Sequence, residues 1–567
     1  MLKSQRHGSQ TKMLKNRVLV IALDGVTFKV IRPLAEEGYL PNLSKLMSEG
    51  SSGELLSTMP PVSGPAWHAF KTGKSPGRTG LYDFLRYDPQ NYRSTLIQLG
   101  QLPESMVWNI ISQHSACRVG IYDLPTTYPP SKVNGFMVAG FPLPENASDY
   151  VYPGELKSEL DALTGGHQTD IRYAGYRHHE DFMSDVDRFL EQRMDVYHYL
   201  QKNYDPEFFV FAFTCTDRVQ HRMWKYMDPE DHITDPAHLR IKERLKHFWQ
   251  KLDAAVGELL RTVDEETTVM VVSDHGFGTQ DETFYVNRWL HEHGFLKLRT
   301  DFHSRRSVSN SVSRIVHRVG ATIARCFPIP HTLTQWGSRF LKGASVPRAN
   351  FESFVPAIDW RQTKAYSPSH TSVFGPIYIN LKEREGQGAV DPSDYDTVRE
   401  EIARGLRSLP ERFPNVAITV FKREDLYRGP YLDQAPDLIY VINDFRCISR
   451  QSFTRGLVFE RRSLRKNYTG THRLEGVMIV KGPHIKRGYG IGRADIIDVA
   501  PTLLHLLEIP IPQDMDGKVL KDVFEPSSLI AQRKIQFAAP SERESSVGQE
   551  QTLDQTVRKQ LEDLGYL

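Results

Sequence analysis

Three apolar segments of this chain each lead into an acidic residue. They span residues 18–23 before Asp24, residues 208–215 shortly before Asp217, and residues 269–273 before Asp274. Continuous apolar segments rich in β-branched or aromatic residues are typical of strands that are buried on both faces of a parallel sheet. Ligands bind such sheets outside the carboxyl ends of the strands. The pattern therefore predicts that the three acids lie along one rim of a sheet.

The rest of the chain alternates between strand-like and helix-like segments. Further strands are predicted at residues 118–122, 135–139, 375–380, 417–421, 438–441 and 476–480. Apolar residues at helical spacing predict helices at residues 180–202 and 239–263, and an amphipathic helix at residues 495–507. This alternation favours an α/β fold with a central, mostly parallel sheet flanked by helices.

Composition divides the chain into a core and three other segments. Residues 1–16 are polar and basic and are expected to form a flexible leader. A helical cap is predicted at residues 297–350, which carry ten Lys or Arg against the single acid Asp301 and have apolar residues at helical spacing. This insert divides the core into residues 17–296 and 351–525, and residues 526–567 form a polar tail.

The basic insert has three interpretations. Its charge attracts an anionic ligand toward the rim, or the charges are only the solvated face of packed helices. A third interpretation is contact between this basic amphipathic segment and an anionic membrane surface. The sequence leaves all three open.

The global charge is nearly balanced, with 71 Lys and Arg against 69 Asp and Glu. Such a chain has no overall attraction to polyanions, so nucleic acid is not expected as a partner. Four cysteines without CxxC spacing argue against a disulfide framework and favour a reducing compartment. No segment has the features of a secretion signal or reaches the ~18 apolar residues of a membrane helix. A cytoplasmic location is expected, and the oligomeric state is open.

Ser63 is a candidate nucleophile at a predicted helix start. Ser is a good N-cap, Pro65 suits the first turn, and Gly73 is typical of the position after a helix end. The N–H groups and the dipole at a helix N-terminus favour anions such as an alkoxide or a phosphate. Taken alone, a serine in this position is more often a cap than a nucleophile.

Several acids and histidines have the spacing of metal ligands. Asp217 and His221 are four residues apart, which on a helix places both side chains on one face. Adjacent Asp274 and His275 at a strand end suit Zn²⁺ or Mn²⁺. Taken singly, each acid has a simpler role at a helix start or in a turn, and each histidine has a simpler role as an exposed side chain.

Read together, these positions form an ordered series of motifs. In chain order they are Asp24-Gly25 after a strand, Ser63-Gly64-Pro65, Thr72-Gly73-x-x-Pro76-x-x-x-Gly80, Asp217-x-x-x-His221, Ser273-Asp274-His275-Gly276, Gly470-Thr471-His472-x-x-x-Gly476, Asp498-Val499-Ala500-Pro501-Thr502 and Met515-Asp516-Gly517. The series resembles the alkaline phosphatase superfamily. Within it, the chain looks most like the type I phosphodiesterase/nucleotide pyrophosphatase branch and its bacterial and archaeal phosphohydrolase or phosphomutase relatives. The resemblance covers nearly the whole chain.

The resemblance implies an alkaline-phosphatase-like core and two divalent metal ions, usually zinc, with manganese as an alternative. The implied ligands are Asp24, Ser63, Asp274 and His275 for one ion, and Asp217, His221 and His472 for the other. His370 is the rival of His472 as the third imidazole. Ser63 would attack phosphorus and form a phosphoseryl intermediate, because a bound metal lowers the pKa of its hydroxyl.

The implied activity is hydrolysis of a small phosphorylated molecule, in the first place a phosphodiester or a nucleotide-like compound. Many relatives have Thr as the nucleophile and a nearby Asn that contacts phosphate, and here these positions hold Ser63 and Ala66. Phosphate contacts are therefore assigned to His68, Lys71 and Arg78. Three alternatives stay open: a phosphomutase with the same phosphoseryl enzyme, a phosphomonoesterase, and a binding or regulatory protein with a relic metal site.

Overall fold

The computed structural model describes residues 16–96, 102, 105–144, 147–166, 168–171, 176–230, 232–299, 354–368, 371–452, 458–461, 468–540 and 557. Most of the predicted basic insert, from residue 300 onward, lies outside these ranges, and so does His370. The insert therefore stays a prediction, both as a helical cap and as a surface for an anionic ligand or membrane.

The largest sheet is mixed and has a parallel centre. From one edge to the other, its strands are Tyr489–Gly490, Ser51–Leu56, Glu475–Lys481, Thr268–Val272, Val18–Leu23, Phe208–Phe213, Val119–Leu124, Gly135–Ala139 and Val151–Tyr152, and Ala494–Asp495 also pairs with Ser51–Leu56. The five strands from Thr268–Val272 to Gly135–Ala139 are parallel to one another. On either side of these five, Glu475–Lys481 and Val151–Tyr152 run antiparallel. The predicted central, mostly parallel sheet is confirmed.

The strand Val18–Leu23 lies in the middle of this sheet and is in register with both neighbours. Val18 pairs with Phe208 on one side and with Thr268 on the other. All six residues of the strand are buried, as expected for a strand covered on both faces. Because the three strands end at nearly the same level, the segments that follow them emerge at one rim.

Helices cover both faces of the sheet. Together with those of the rest of the molecule, the α-helices of the described ranges are Phe28–Glu36, Pro41–Glu49, Ser63–Thr72, Pro76–Thr79, Val107–His114, Leu156–Thr164, His179–Tyr204, Cys215–Met223, Pro236–Arg261, Val286–Glu292, Tyr395–Arg407, Leu409–Arg412, Arg423–Leu426, Val499–Leu506 and Leu529–Gln532. The long helices predicted at residues 180–202 and 239–263 are confirmed as His179–Tyr204 and Pro236–Arg261. Within the described ranges, no helix combines the length and apolar character needed to cross a bilayer.

Side chains of the central strand alternate between two hydrophobic clusters. Leu19 and Ile21 join the cluster that contains the two long helices, and Val20 and Ala22 join the one on the opposite face. The second cluster includes the helix Val499–Leu506, which is buried all round. A helix within the predicted range 495–507 is confirmed, but it is shorter than predicted and its predicted amphipathic character is wrong, because it has no solvent face.

A second, smaller lobe has a hydrophobic core of its own. One of its sheets has the strand order Ala365–Tyr366, Gly375–Ile379, Leu438–Ile442 and Ile418–Lys422. A second sheet has the order Thr371–Ser372, Cys447–Arg450, Glu282–Tyr285 and Phe459–Glu460. Large buried side chains such as Trp289, Tyr366 and Tyr440 fill this core. The strands predicted at residues 375–380, 417–421 and 438–441 are confirmed as members of the first of these sheets.

Three strand pairs lie outside the larger sheets. They are Leu85–Asp88 with Arg93–Leu96, Gly276–Thr279 with Gly470–Arg473, and Ile511–Pro512 with Phe537–Ala538. The last pair and the helix Leu529–Gln532 show that regular structure continues past residue 525.

Candidate metal centre and nucleophile

Two clusters of buried acids and histidines lie at the rim where the central strands end. One consists of Asp24, Asp274 and His275, and the other of Asp217, His221 and His472. Within each cluster the potential ligand atoms lie within 4.8 Å of one another. The structure thus groups these six side chains in the two sets that the family resemblance implies.

The first cluster is built by two neighbouring strand ends. Asp24 follows Val18–Leu23, and Asp274 and His275 follow Thr268–Val272. The indole N–H of Trp67 donates to Asp24 Oδ2 at 3.3 Å, and the backbone N–H of Gly25 donates to Asp274 Oδ1 at 3.1 Å. In the part of the chain that the structure describes, the other oxygens, Asp24 Oδ1 and Asp274 Oδ2, are buried without a hydrogen bond. One oxygen of each carboxylate is therefore fixed, and the other is available to a cation.

The second cluster joins a helix to a distant strand. Asp217 and His221 lie one turn apart on the helix Cys215–Met223, as their spacing predicts. His472 comes from the strand Gly470–Arg473, where it pairs with Phe277 of the antiparallel strand Gly276–Thr279. The Nε2 atoms of the two histidines lie 3.4 and 3.5 Å from Asp217 Oδ1 and 2.9 Å from each other.

The tautomers of the three histidines suit cation binding. The Nδ1 atom of His221 lies 3.0 Å from the Gly470 carbonyl, that of His275 lies 3.1 Å from the carbonyl of the next residue, and that of His472 lies 2.8 Å from the Pro61 carbonyl. A carbonyl only accepts hydrogen bonds, so each Nδ1 carries the proton and each Nε2 presents a lone pair. The lone pairs of His221 and His472 then face each other across 2.9 Å. A cation bound to both Nε2 atoms would replace the repulsion of the two lone pairs by two metal–ligand bonds.

The charges of the clusters also fit cations. Burial and the neighbouring acids raise the pKa of Asp274 to about 7 and raise the pKa of Asp24 well above its ordinary value. Burial lowers the pKa of His221 to about 3 and that of His275 well below its ordinary value, so both imidazoles are neutral near pH 7. Burial also opposes charge on Asp217, but His221, which is protonated at the low pH where this carboxyl titrates, and the adjacent Arg218 guanidinium outweigh burial and lower the pKa of Asp217. Buried carboxylates that repel one another are stabilised by a divalent cation, which neutralises their charge. Neutral imidazoles beside them can serve as further ligands of the same cation.

Ser63 lies beside the first cluster at the start of a buried helix. The helix runs Ser63–Thr72, and Gly73 ends it in the left-handed conformation with φ +66°. The N-cap is Val62 rather than Ser63, and no side-chain hydrogen bond caps this helix. The serine hydroxyl instead lies 3.1 Å from His275 Nε2. The predicted helix and its end are confirmed. Because Val62 is the N-cap, Ser63 is the first helical residue, and its hydroxyl lies beside the first cluster.

The three predicted phosphate contacts have different surroundings. His68 and Lys71 are buried on the helix that begins at Ser63, and the Lys71 Nζ donates to the Thr126 backbone carbonyl and hydroxyl. Arg78 is more exposed, and its Nε donates to Asp516 Oδ1 at 2.7 Å. All three remain predictions as substrate contacts.

The strand pair that delivers His472 is not predicted by the sequence patterns. The ring of its partner Phe277 lies edge-on to His221 and His472, with centroid distances of 4.8 and 5.3 Å. Glycine at position 276 is required there, because a Cβ would lie 2.0 Å from the Glu475 carbonyl oxygen. The alternation of small and large residues in Gly276-Phe277-Gly278-Thr279 is the one sequence signal for this strand.

Gly25 offers a test of how tightly the rim is packed. It has φ +70°, and an added Cβ would lie 2.8 Å from the Phe277 ring and 3.2 Å from the His275 ring. Gly38 has a similar φ of +83° but open space around it. We expect Gly38→Ala to cost about 1–2 kcal/mol of unfolding free energy through backbone strain alone. Gly25→Ala should cost roughly 1–3 kcal/mol more through overpacking and should also lower metal content.

Denaturant titration of both metal-free variants and elemental analysis of the loaded ones measure these effects. Equal costs for the two substitutions, with unchanged metal content in Gly25→Ala, would show that the rim has room to adjust at this position.

The chain falls in a class of protein, the phosphoryl hydrolases of the alkaline phosphatase superfamily, by its match to a family model. The family model for type I phosphodiesterase/nucleotide pyrophosphatase matches residues 18–456 of the chain. The chain belongs to this family, and it is a hydrolase that acts on phosphoester bonds. The family is metal-dependent. His472 lies beyond the matched segment, so its membership in the second cluster rests on the geometry described above.

Solved structures share the fold at low sequence identity. Phosphonoacetate hydrolase from Sinorhizobium meliloti 1021 matches with a TM-score of 0.52 and 14% identity, over 87% of this chain and 96% of that chain. Human ectonucleotide pyrophosphatase/phosphodiesterase 5 matches with a TM-score of 0.47 and 14% identity, over 90% of this chain and 100% of that chain. No curated protein sequence gives a match. At 14% identity, the likeness to phosphonoacetate hydrolase establishes the fold alone.

Proposed function

We propose that this hydrolase cleaves its ester with Ser63 as the nucleophile and with two divalent cations, zinc or manganese. Asp24, Ser63, Asp274 and His275 would hold one cation, and Asp217, His221 and His472 would hold the other. The observation that carries the proposal is the position of the Ser63 hydroxyl, 3.1 Å from His275 Nε2 at the edge of the first cluster. The rings of His275 and His472 stack at a centroid distance of 3.7 Å, so the second cluster adjoins the first.

The chain itself supplies the nucleophile and its surroundings. The Nδ1 of His275 donates its hydrogen to the Gly276 carbonyl, so its Nε2 presents a lone pair beside the Ser63 oxygen, 3.1 Å away, and both atoms would be ligands of the first cation. The N–H groups at the start of the helix Ser63–Thr72 provide a positive end for a phosphoryl group. Divalent cations in such centres neutralise charge on phosphoryl oxygens and lower the pKa of a hydroxyl nucleophile.

The reaction has two balanced steps. The Ser63 oxygen forms a bond to phosphorus while the bond from phosphorus to the ester oxygen breaks, and the released alcohol takes up the serine proton. Water then attacks the phosphoseryl group, which releases the phosphate product and returns a hydrogen to the serine. A phosphomutase would share the first step and replace water by a second hydroxyl of the substrate.

A small phosphodiester or nucleotide-like compound is the substrate class we propose, because the family is named for such activities. We expect p-nitrophenol release from bis(p-nitrophenyl) phosphate, with Zn²⁺ or Mn²⁺ present, to exceed release from p-nitrophenyl phosphate. Phosphonoacetate belongs in the same panel, since it tests cleavage of a carbon–phosphorus bond. Leaving-group release and inorganic phosphate are measured in parallel.

The panel separates the alternatives. Faster cleavage of the monoester would make the protein a phosphomonoesterase. Transfer of phosphate between positions of a sugar phosphate, without inorganic phosphate, would make it a phosphomutase. No turnover of any compound with either metal would favour a binding protein with a relic site.

A further inference from the structure

A buried guanidinium holds one oxygen of Asp217. Arg218 follows Asp217 on the helix Cys215–Met223, and its Nη1 donates to Asp217 Oδ2. The same guanidinium donates through Nε and Nη2 to the two oxygens of Asp170, at 2.6 and 3.0 Å. All three side chains are shielded, with exposures of 0% for Asp217, 4% for Arg218 and 11% for Asp170.

This arrangement determines which Asp217 oxygen faces the histidines. The planar fork of an arginine is oriented most firmly when a carboxylate engages it at two points, as Asp170 does here. With Oδ2 held by Arg218, the Oδ1 atom points at the Nε2 atoms of His221 and His472, 3.4 and 3.5 Å away. Asp170 itself belongs to neither cluster and donates no ligand atom, so it orients Asp217 through its contacts with Arg218.

The charges around Asp217 also predict that Asp170 and Arg218 affect cation binding at the second cluster. Arg218 places a positive charge next to the single carboxylate of the second cluster, which by itself opposes cation binding. The carboxylate of Asp170 offsets that charge. In the first cluster the fixed oxygens are held by neutral N–H groups, those of Trp67 and Gly25. A change at Asp170 or Arg218 therefore acts most strongly on the second cluster, where Arg218 contacts Asp217; on the first cluster only the longer-range charge of Arg218 acts, at Asp24.

We propose that Arg218 and Asp170 are positioning residues that fix Asp217 for cation binding at the second site. The proposal rests on the two-cation function proposed above. Partners that orient a metal ligand typically contribute 10–100-fold to metal affinity. Loss of the Asp170–Arg218 pair should accordingly weaken binding of the second cation by about this factor and affect binding of the first much less.

The test is a calorimetric titration of the metal-free full-length protein with Zn²⁺. The parent should show two binding events, and His472→Ala identifies the second site as the event that it removes. Asp170→Asn keeps the side-chain shape and removes the charge that offsets Arg218. Arg218→Lys keeps the positive charge and removes the fork. Each should weaken the second event by about 10–100-fold and affect the first much less.

Asp437→Asn is the matched control. Asp437 is buried in the smaller lobe and accepts hydrogen bonds from Arg384 Nη1 and Nη2 at 2.8 and 2.6 Å, in a two-point ion pair like that of Asp170 with Arg218. This variant should keep both binding events, although it removes a pair of the same kind. Thermal unfolding of each metal-free variant shows whether the fold is intact.

The outcomes are distinguishable. If the parent binds fewer than two Zn²⁺, or His472→Ala keeps both events, the two-cation function fails. Suppose that the parent binds two Zn²⁺. If Asp170→Asn and Arg218→Lys then keep the parent affinities, or weaken both binding events equally, the positioning role is wrong. If Asp170→Asn and Arg218→Lys unfold while Asp437→Asn stays folded, the pair serves the fold rather than the site, which also overturns the proposal.

Discussion

Replacing Ser63 by alanine is expected to lower kcat by about four orders of magnitude or more, because the reaction then lacks its covalent route. The hydroxyl lies 3.1 Å from His275 Nε2 and does not cap its own helix, so its loss removes little structure. Asp24, and all three members of the second cluster, have hydrogen bonds from or to groups other than this hydroxyl. Ser63→Ala keeps the two carboxylates and the imidazole of the first cluster, so metal content and thermal stability should remain near those of the parent.

Two further variants make this expectation specific. Ser57→Ala removes a hydroxyl six positions upstream that makes no hydrogen bond within the described residues, and turnover should be unchanged. Ser63→Thr keeps a hydroxyl and should retain part of the activity. Acid quenching during turnover of a ³²P-labelled substrate should trap label on the parent and not on Ser63→Ala. Parent-level turnover by Ser63→Ala on every substrate would exclude the covalent mechanism.

Local patterns predict the parts of the site that lie next to a strand or helix end. Asp24 and Asp274 end strands whose apolar pattern is unambiguous, and parallel pairing in register brings such ends together. The spacing of Asp217 and His221 defines one helix face without any knowledge of the rest of the fold. These predictions depend only on backbone periodicity, which the sequence carries directly.

Other parts depend on pairings between distant segments, and no local pattern encodes them. His472 reaches the second cluster through antiparallel pairing with a strand almost two hundred residues away, and only the family resemblance favoured it over His370. Asp170 meets Arg218 across 48 positions, in a segment with no strong periodicity. The helix at Val499–Leu506 was predicted with a solvent face because its sequence does not reveal that the tail packs over it.

Removal of divalent cations is expected to abolish activity and to destabilise the fold. Without cations, the Asp24 and Asp274 carboxyls, whose pKa values are raised, take up protons near neutral pH, and the lone pairs of His221 and His472 oppose each other. A ligand that binds only the folded state stabilises it by about 2.7 kcal/mol at a hundredfold excess over Kd and by about 4 kcal/mol at a thousandfold excess. Chelation should thus lower the midpoint of thermal unfolding, and Zn²⁺ or Mn²⁺ should restore both the midpoint and turnover.

Ligand variants assign the cations to the two clusters. Asp274→Asn removes a ligand of the first and His472→Ala a ligand of the second, so each variant should retain about half of the bound metal if the sites are independent. His198→Ala is the control, since this exposed histidine pairs with Glu258 at 2.9 Å and should not affect metal content. His370→Ala should likewise spare metal content if His472 is the third imidazole. Loss of metal in His370→Ala together with full occupancy in His472→Ala would overturn the ligand assignment, because the geometry of the second cluster would then have no bearing on cation binding.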